Sequence, residues 1–276
     1  MIRAALPPWA MLAPPPPLRA AVQCVWFTSG ATDGQPRQRV LPNGVIELIF
    51  ALDDAGHAVI EGDAIRTVRR CWIAGLQRGP LTIAPAVGGR LVGVRFRPGG
   101  LPALWRLPVS ELTDKVSELD GFDDTALLAL RDRLAHAATL SDLGAALTAG
   151  LVDRLAATTT PARVRQAVAA LRTHPESGIG ALADRLGITH QHLVRVFRDR
   201  VGVPPRLLAR ILRFDGAVRL AQAGAAPPRW SELATAAGYY DQAHLIAEFR
   251  TFAGTTPTAY WERRIPGAEH LEDGQR

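Results

Sequence analysis

Cysteine is scarce in this chain, and long apolar runs are absent. Only two of its 276 residues are cysteines, Cys24 and Cys71, and they form no CxxC pair. A disulfide framework or a structural zinc site is therefore not expected, and a reducing cytoplasm is the simplest location. No apolar run approaches the ~20 residues that a membrane helix needs. Prolines interrupt residues 1–20, which are therefore expected to form an irregular arm. The same prolines make this segment a poor targeting helix.

Motifs of nucleotide-binding and hydrolytic enzymes are missing as well. The glycine pairs at 88–89 and 99–100 lack the GxGxxG context of a nucleotide fold, and no P-loop or GxSxG motif occurs. His190 and His192 stand two positions apart on a predicted helix, so their side chains cannot bind one ion together. We expect no metal site, no cofactor and no enzymatic activity.

Positive charge is concentrated in one segment. Residues 161–264 hold 15 arginines against 8 acidic residues, a net +7. Residues 1–160 carry +1, and the tail from 265 onward carries −2. Such a local excess is typical of a phosphate-binding surface, although a solvated basic face is the simpler alternative.

The same basic segment contains an internal repeat. Residue types recur at an offset of 52 positions: Leu193 and Leu245, Phe197 and Phe249, Arg198 and Arg250, Gly202 and Gly254, and Pro205 and Pro257. A duplicated helical unit with basic residues indicates DNA binding, because two tandem units can contact a long asymmetric site.

Each repeat has the pattern of a helix-turn-helix. In the first, a short helix Ile179–Leu186 ends at Gly187, and Thr189 caps a second helix, His190–Arg200. In the second, Ser231 is predicted to cap the first helix, Gly238 makes the turn, and Asp241 caps Gln242–Phe252. A rod over Pro205–Ala221 is predicted to hold the units apart. Reading helices in successive major grooves of one DNA face must lie about 34 Å apart.

The solvent faces of the two reading helices supply the candidate DNA-binding residues. Arginine and glutamine contact base edges, and arginine also binds phosphate. Because Ala247 stands where the first unit has Arg195, we expect the first unit to contribute more base reading and the second more phosphate contact. The candidates are His190, Gln191, Val194, Arg195 and Arg198 in the first unit, and Gln242, Ala243, His244 and Arg250 in the second.

Residues 161–264 resemble the DNA-binding domain of the AraC/XylS transcriptional regulators. The resemblance rests on residues 182–187, on 193–197, on 213–220 of the rod, and most specifically on the stretch from Ala237 and Gly238 through Gly254 to Tyr260. It implies two helix-turn-helix motifs joined by a linker helix. Tyr240, Leu245 and Ala247 depart from the residues frequent in that family.

The first part of the chain predicts strands. Short β-rich runs are separated by turn signals, which favours a small antiparallel sheet, sandwich or barrel. Two leucine-striped helices follow, Thr125–Ala138 and Ser141–Ala157, the second serving as core or as a dimer seam. The predicted strands are Val22–Thr28, Val45–Leu52, His57–Ile60, Cys71–Ile73, Leu81–Ile83 and Leu91–Phe96.

These elements predict an α+β chain in two domains. Residues 1–157 form a mainly antiparallel β domain with helices at its end, residues 161–264 an all-α DNA-binding domain, and residues 265–276 a flexible tail. Several phrases in residues 1–150 are similar to an uncharacterised domain of one branch of the same regulators, which implies sensing or dimerisation. Candidate effector contacts are Trp26, Glu47, Trp72, Arg95 and Arg97. Solvation or pairing of the arginines, and core packing of the tryptophans, are the simpler alternatives.

We therefore expect a cytoplasmic, one-component transcriptional regulator that binds a double-stranded DNA operator. An unidentified small-molecule effector, RNA polymerase and a second copy of the chain are further candidate partners, and no membrane is expected. The alternative is a DNA-targeted enzyme, such as a repair protein with catalysis in the N-terminal domain.

Overall fold

The computed structural model describes residues 6–29, 37–61, 64–84, 86, 88–105, 107–119, 125–155, 160–265 and 270–272. Within these residues an antiparallel β region comes first and a helical region follows, as the α+β prediction states. No helix in the described part of the chain has both the length and the apolar character to cross a membrane.

The β region consists of two antiparallel sheets. The first has six strands in the spatial order β1-β2-β9-β4-β7-β10: β1 Trp9–Leu12, β2 Val22–Ser29, β4 Ile46–Ala51, β7 Cys71–Ala74, β9 Arg90–Phe96 and β10 Val116–Glu118. The second has five in the order β11-β3-β8-β5-β6: β3 Gln38–Val40, β5 His57–Glu61, β6 Ala64–Val68, β8 Leu81–Ala84 and β11 His270–Glu272.

Side-chain alternation explains why the first sheet is covered on both faces. On β4, Leu48 and Phe50 belong to the large core, whereas Ile49 and Ala51 belong to a smaller cluster. Successive strand residues point to opposite faces, so each run supplies two apolar surfaces. The smaller cluster includes Val59 of β5 and therefore lies between the two sheets.

Two helices complete this region, α1 (Thr125–Ala135) and α2 (Leu140–Leu151). Thr139 caps α2, with its side chain accepting from the Asp142 amide at 3.1 Å. The leucine stripe of α2 is fully buried at Leu143, Leu147 and Leu151. These leucines pack in the core, so the stripe is not an exposed dimer seam.

Seven helices form the C-terminal region within residues 160–265. Four of them form the two helix-turn-helix units, one is the rod between the units, one precedes them and one follows them. They are α3 (Ala162–Thr173), α4 (Ile179–Arg185), α5 (His190–Val201), α6 (Pro205–Gln222), α7 (Trp230–Ala236), α8 (Gln242–Ala253) and α9 (Pro257–Arg263).

The two regions share one continuous apolar core. Thr160, between the two predicted domains, is buried and donates to the Gly99 carbonyl oxygen, so the chain packs against the β region at this point. Residues 156–159 lie outside the described residues, and the two-domain division stays a prediction.

Two terminal segments differ from the sequence-based expectation. The arm contains β1, which pairs with β2 from Trp9 opposite Thr28, and its proline run enters a 3-10 helix, Pro16–Leu18. The tail was expected to be flexible, and that is wrong for β11, because its backbone pairs with β3 and Leu271 is fully buried.

Candidate nucleic-acid interface

The first reading helix, α5, is fixed by its ends and by one buried face. The Thr189 side chain accepts from the His192 amide at 3.2 Å, as the cap prediction states. Leu193 and Phe197 are fully buried. Gly202 ends the helix at φ 99°, a left-handed conformation that glycine adopts at low cost.

The opposite face of α5 carries the predicted contacts. His190, Gln191, Arg195 and Arg198 are exposed, and Val194 is half-buried. These five side chains border one open groove of about 480 Å³. Arg195 Nη2 lies 3.2 Å from His192 Nδ1 on the same helix. Asp199 also borders the groove, so its lining holds two arginines, one carboxylate and several hydrogen-bonding groups of the kinds that contact phosphates and base edges.

The second reading helix, α8, repeats this plan with fewer polar groups. The Asp241 carboxylate accepts from the His244 amide at 2.7 Å, which confirms the predicted cap. Gln242, Ala243, His244 and Arg250 are exposed. Leu245 and Phe249 are fully buried, as predicted.

The first helix of the second unit starts earlier than expected. Ser231 is not its cap, because α7 begins at Trp230 with Arg229 in the N-cap position. The Trp230 ring lies 6.1 Å from the Phe249 ring. This contact with α8 favours a start that brings Trp230 into the helix.

The rod between the units, α6, is anchored on α8. Arg210 Nη2 donates to Glu248 Oε1 at 2.7 Å, and the Glu248 side chain is only 7% exposed. This hydrogen bond raises the pKa of Arg210. Phe214 packs edge-on against Phe249, with ring centroids 5.1 Å apart. The orientation of α8 on the rod is thus set by an ion pair and an aromatic contact.

The β region contacts the C-terminal end of both reading helices. A Cβ placed on Gly202 would lie 3.0 Å from Thr113 Oγ1, and this hydroxyl donates to the Gly202 carbonyl oxygen at 2.9 Å. A Cβ on the equivalent Gly254 would lie 3.1 Å from Arg39 Nη1. The β region therefore lies against the C-terminal ends of both α5 and α8.

The five candidate effector contacts are only partly brought together. Trp26 Nε1 donates to Glu47 Oε1 at 3.0 Å, and Arg95 Nε donates to the same oxygen at 2.8 Å. Arg97 lies beyond the end of β9 and donates to the Arg19 carbonyl oxygen at 3.0 Å. Trp72 is packed between the two sheets.

Next to Trp72 lies a buried histidine, His57, whose ring centroid is 5.5 Å from that of Trp72. Burial lowers the pKa of His57, against the raising effect of Asp53. Among the described residues, no group of three or more His, Cys, Asp or Glu side chains is placed to hold a metal ion.

A small cleft of about 100 Å³ lies between the two regions. Arg95 and Asn43 border it from the β region, and Arg172, Asp215 and Arg219 from the helices. Arg219 Nη2 lies 2.9 Å from Asp215 Oδ2 and Arg95 Nε lies 2.8 Å from Glu47 Oε1, so two of the three arginines at this cleft are paired with carboxylates.

Sequence reasoning missed the part of the β region that borders the α5 groove. Ser110 lines that groove beside Arg195, and it belongs to a 3-10 helix, Val109–Leu112, that packs on α5. No local signal marks Ser110, because its position depends on packing between segments some 80 residues apart. The buried Glu248 was also missed, although a carboxylate within an apolar helix face was a usable signal.

Two family models match the chain. Residues 182–263 match a helix-turn-helix domain, and residues 10–118 match a domain of unknown function, DUF6597. No curated protein sequence matches.

Several solved structures are similar to the chain. The C-terminal domain of AraT, a response regulator from Geobacillus stearothermophilus, is 22% identical, with 39% of this chain and 90% of that chain covered and a TM-score of 0.36. ToxT from Vibrio cholerae is 11% identical, with 93% and 98% covered and a TM-score of 0.48. ToxT with a bound unsaturated fatty acid is 10% identical, with 92% and 94% covered and a TM-score of 0.45.

Proposed function

We propose that the chain is a DNA-binding transcription regulator of the AraC/XylS type, and that it binds one specific asymmetric site through α5 and α8; the helix-turn-helix match over residues 182–263 supports this. Both helices enter neighbouring major grooves. The nine residues predicted from sequence make the contacts, and α5 does more of the base reading. Phosphate contacts supply affinity that falls with salt, and base contacts supply specificity.

One observation carries this proposal. The five candidates on α5 border a single open groove, whereas the residues on the opposite face of the same helix are buried in the core. The arginines and the glutamine on this open face are the side-chain types that contact phosphates and base edges.

Replacing Arg195 by alanine tests the proposal. We expect Arg195→Ala to cost roughly 1–3 kcal/mol on the preferred duplex and to relax base preference at one position. The measurement is fluorescence anisotropy on the preferred duplex and on a random duplex of equal length. Arg200→Ala is the matched control, because it removes the same charge from α5 but from a side chain paired with Asp199 at 2.8 Å. Equal losses on both duplexes would reduce Arg195 to a phosphate contact.

The β region, residues 1–157, is proposed to sense a small molecule, to dimerise, or both. The contacts at Gly202 and Gly254 support a coupling of this region to the two reading helices. Three arginines, Arg95, Arg172 and Arg219, border the cleft between the regions against one carboxylate, Asp215, and this excess of positive charge supports an anionic effector.

Thermal shifts with a panel of small carboxylates and phosphates test the sensing role, because a ligand that binds only the folded state raises its stability. A compound that stabilises the wild type but not Arg95→Gln supports it. A panel without any shift contradicts it.

The remaining assignments follow from this function. The regulator acts on the chromosome, so we place it in the cytoplasm, with RNA polymerase and a second copy of the chain as candidate partners. We propose no catalytic activity and no cofactor, and no finding favours the alternative of a DNA-targeted enzyme.

A further inference from the structure

The two turns that precede the reading helices match residue by residue until one extra residue enters the second. Gly187 and Gly238 both have positive φ, at 63° and 75°. The next amide donates to an equivalent carbonyl in each unit, Ile188 to Ala183 at 3.2 Å and Tyr239 to Ala234 at 2.9 Å. In the first unit the cap then follows directly. In the second, Tyr240 stands between Tyr239 and the cap.

The extra residue is not used by the core. Tyr240 is 92% exposed, whereas its neighbour Tyr239 is 4% exposed and packs with its ring 5.1 Å from that of His244. Tyr240 is also more exposed than the other outward-facing large apolar side chains of the described residues, which are Trp9, Met11, Ile65 and Leu220. Packing therefore gives no reason for an aromatic ring at this position.

The position of Tyr240 points to DNA. It immediately precedes Asp241, the cap of α8, and the N-terminal residues of a reading helix are those that approach the base edges. The Asp241 carboxylate accepts from the His244 amide at 2.7 Å, and α8 carries Ala247 where α5 carries Arg195, so this unit offers few cations for phosphate contact. A neutral phenol on a long side chain can donate to a phosphate oxygen without adding charge.

We propose that Tyr240 binds the DNA backbone through its hydroxyl and positions the second unit on the duplex. This inference rests on the proposed function. The contact compensates for the small number of cations on α8, and it is insensitive to base sequence because a phosphate is the same at every step.

The test compares Tyr240→Phe, which removes only the hydroxyl, with Tyr240→Ala, which also removes the ring. We expect roughly 3- to 10-fold weaker binding for Tyr240→Phe, equally on the preferred and the random duplex, from the loss of one hydrogen bond. The slope of log Kd against log salt concentration should stay unchanged, because the phenol releases no counterion, whereas loss of an arginine contact lowers that slope by about 1. Melting temperatures should match the wild type.

A methylphosphonate scan of the preferred duplex locates the contact. A methylphosphonate at one linkage beside the second unit's half-site should weaken DNA binding by the wild type. The same substitution should not weaken binding by Tyr240→Phe any further. Tyr239→Phe is the matched control, since it removes a hydroxyl from the adjacent buried ring, and it should retain sensitivity to that linkage.

Three outcomes would overturn the proposal. Both Tyr240 variants could bind every duplex as the wild type does. The loss could be confined to the preferred duplex, which would make Tyr240 a base contact. DNA binding could be intact while transcription in vitro is lost, which would assign Tyr240 to a protein partner. If the wild type itself prefers no duplex over random DNA, the proposed function fails instead, and the two failures are thereby distinguished.

Discussion

The reading helix of the first unit exposes two arginines, Arg195 and Arg198, whereas that of the second exposes one, Arg250, and has Ala247 in the place of Arg195. The inner faces of the two helices show the reverse difference, because there the second helix carries the charged residue. Where α5 has the half-buried Val196, α8 has the buried Glu248, paired with Arg210 of the rod. A repeat that keeps its helix-ending glycines can thus place charge on the exposed face in one copy and in a buried ion pair in the other.

The internal ion pair gives the largest expected effect on stability. Arg210→Ala leaves the Glu248 carboxylate buried without its partner. We expect a loss of about 2–3 kcal/mol in the free energy of unfolding, below the value for a fully buried pair because Arg210 is 39% exposed. Urea denaturation measures it.

The control for that experiment is Glu248→Val, which gives α8 the residue that α5 has at the equivalent position, Val196. This change leaves Arg210 able to reach water, so it should lower the free energy of unfolding clearly less than Arg210→Ala does. The double variant should recover most of the loss. Equal costs for the two single changes would contradict the idea that the buried partner determines the penalty.

Alanine substitution of the glycines that end α5 and α8 should have an intermediate effect on stability, and this effect should differ between the two units. Gly202 has φ 99° and ψ −24°, while Gly254 has φ 64° and ψ 20°, closer to the left-handed conformation that other residues adopt. A Cβ at Gly202 would also meet Thr113 Oγ1 at 3.0 Å and the Val109 carbonyl at 3.4 Å, whereas at Gly254 it would meet the flexible end of Arg39.

We therefore expect Gly202→Ala to cost about 2 kcal/mol and Gly254→Ala about 1 kcal/mol in unfolding free energy. Thermal and urea denaturation of the two variants provide the comparison, with Gly216→Ala inside α6 as a control whose Cβ would have open space. A larger loss of stability for Gly254→Ala than for Gly202→Ala would contradict the tighter contact of Gly202 with the β region.

Much of this arrangement could be predicted from local patterns. The caps Thr189 and Asp241, the turn glycines and the apolar spacing predict α5 and α8, because each signal acts within a few residues of the feature that it specifies. The alternating runs likewise predict β2, β4 and β9.

Features that depend on distant partners could not be predicted. β11 becomes a strand only by pairing with β3, more than 200 residues earlier. β1 is an edge strand next to prolines and has only four residues, too few for a clear period. The place of Ser110 beside Arg195 is likewise a result of tertiary packing.

Selection of duplexes from a random library by the intact protein tests whether the two helices contribute unequally to base recognition. We predict one asymmetric site in which base preference is strong in the half bound by α5 and weaker in the half bound by α8. The strong half should weaken in Arg195→Ala, and the weak half should sharpen in Ala247→Arg. A symmetric site with equal preference in both halves, or no enriched sequence at all, would contradict it.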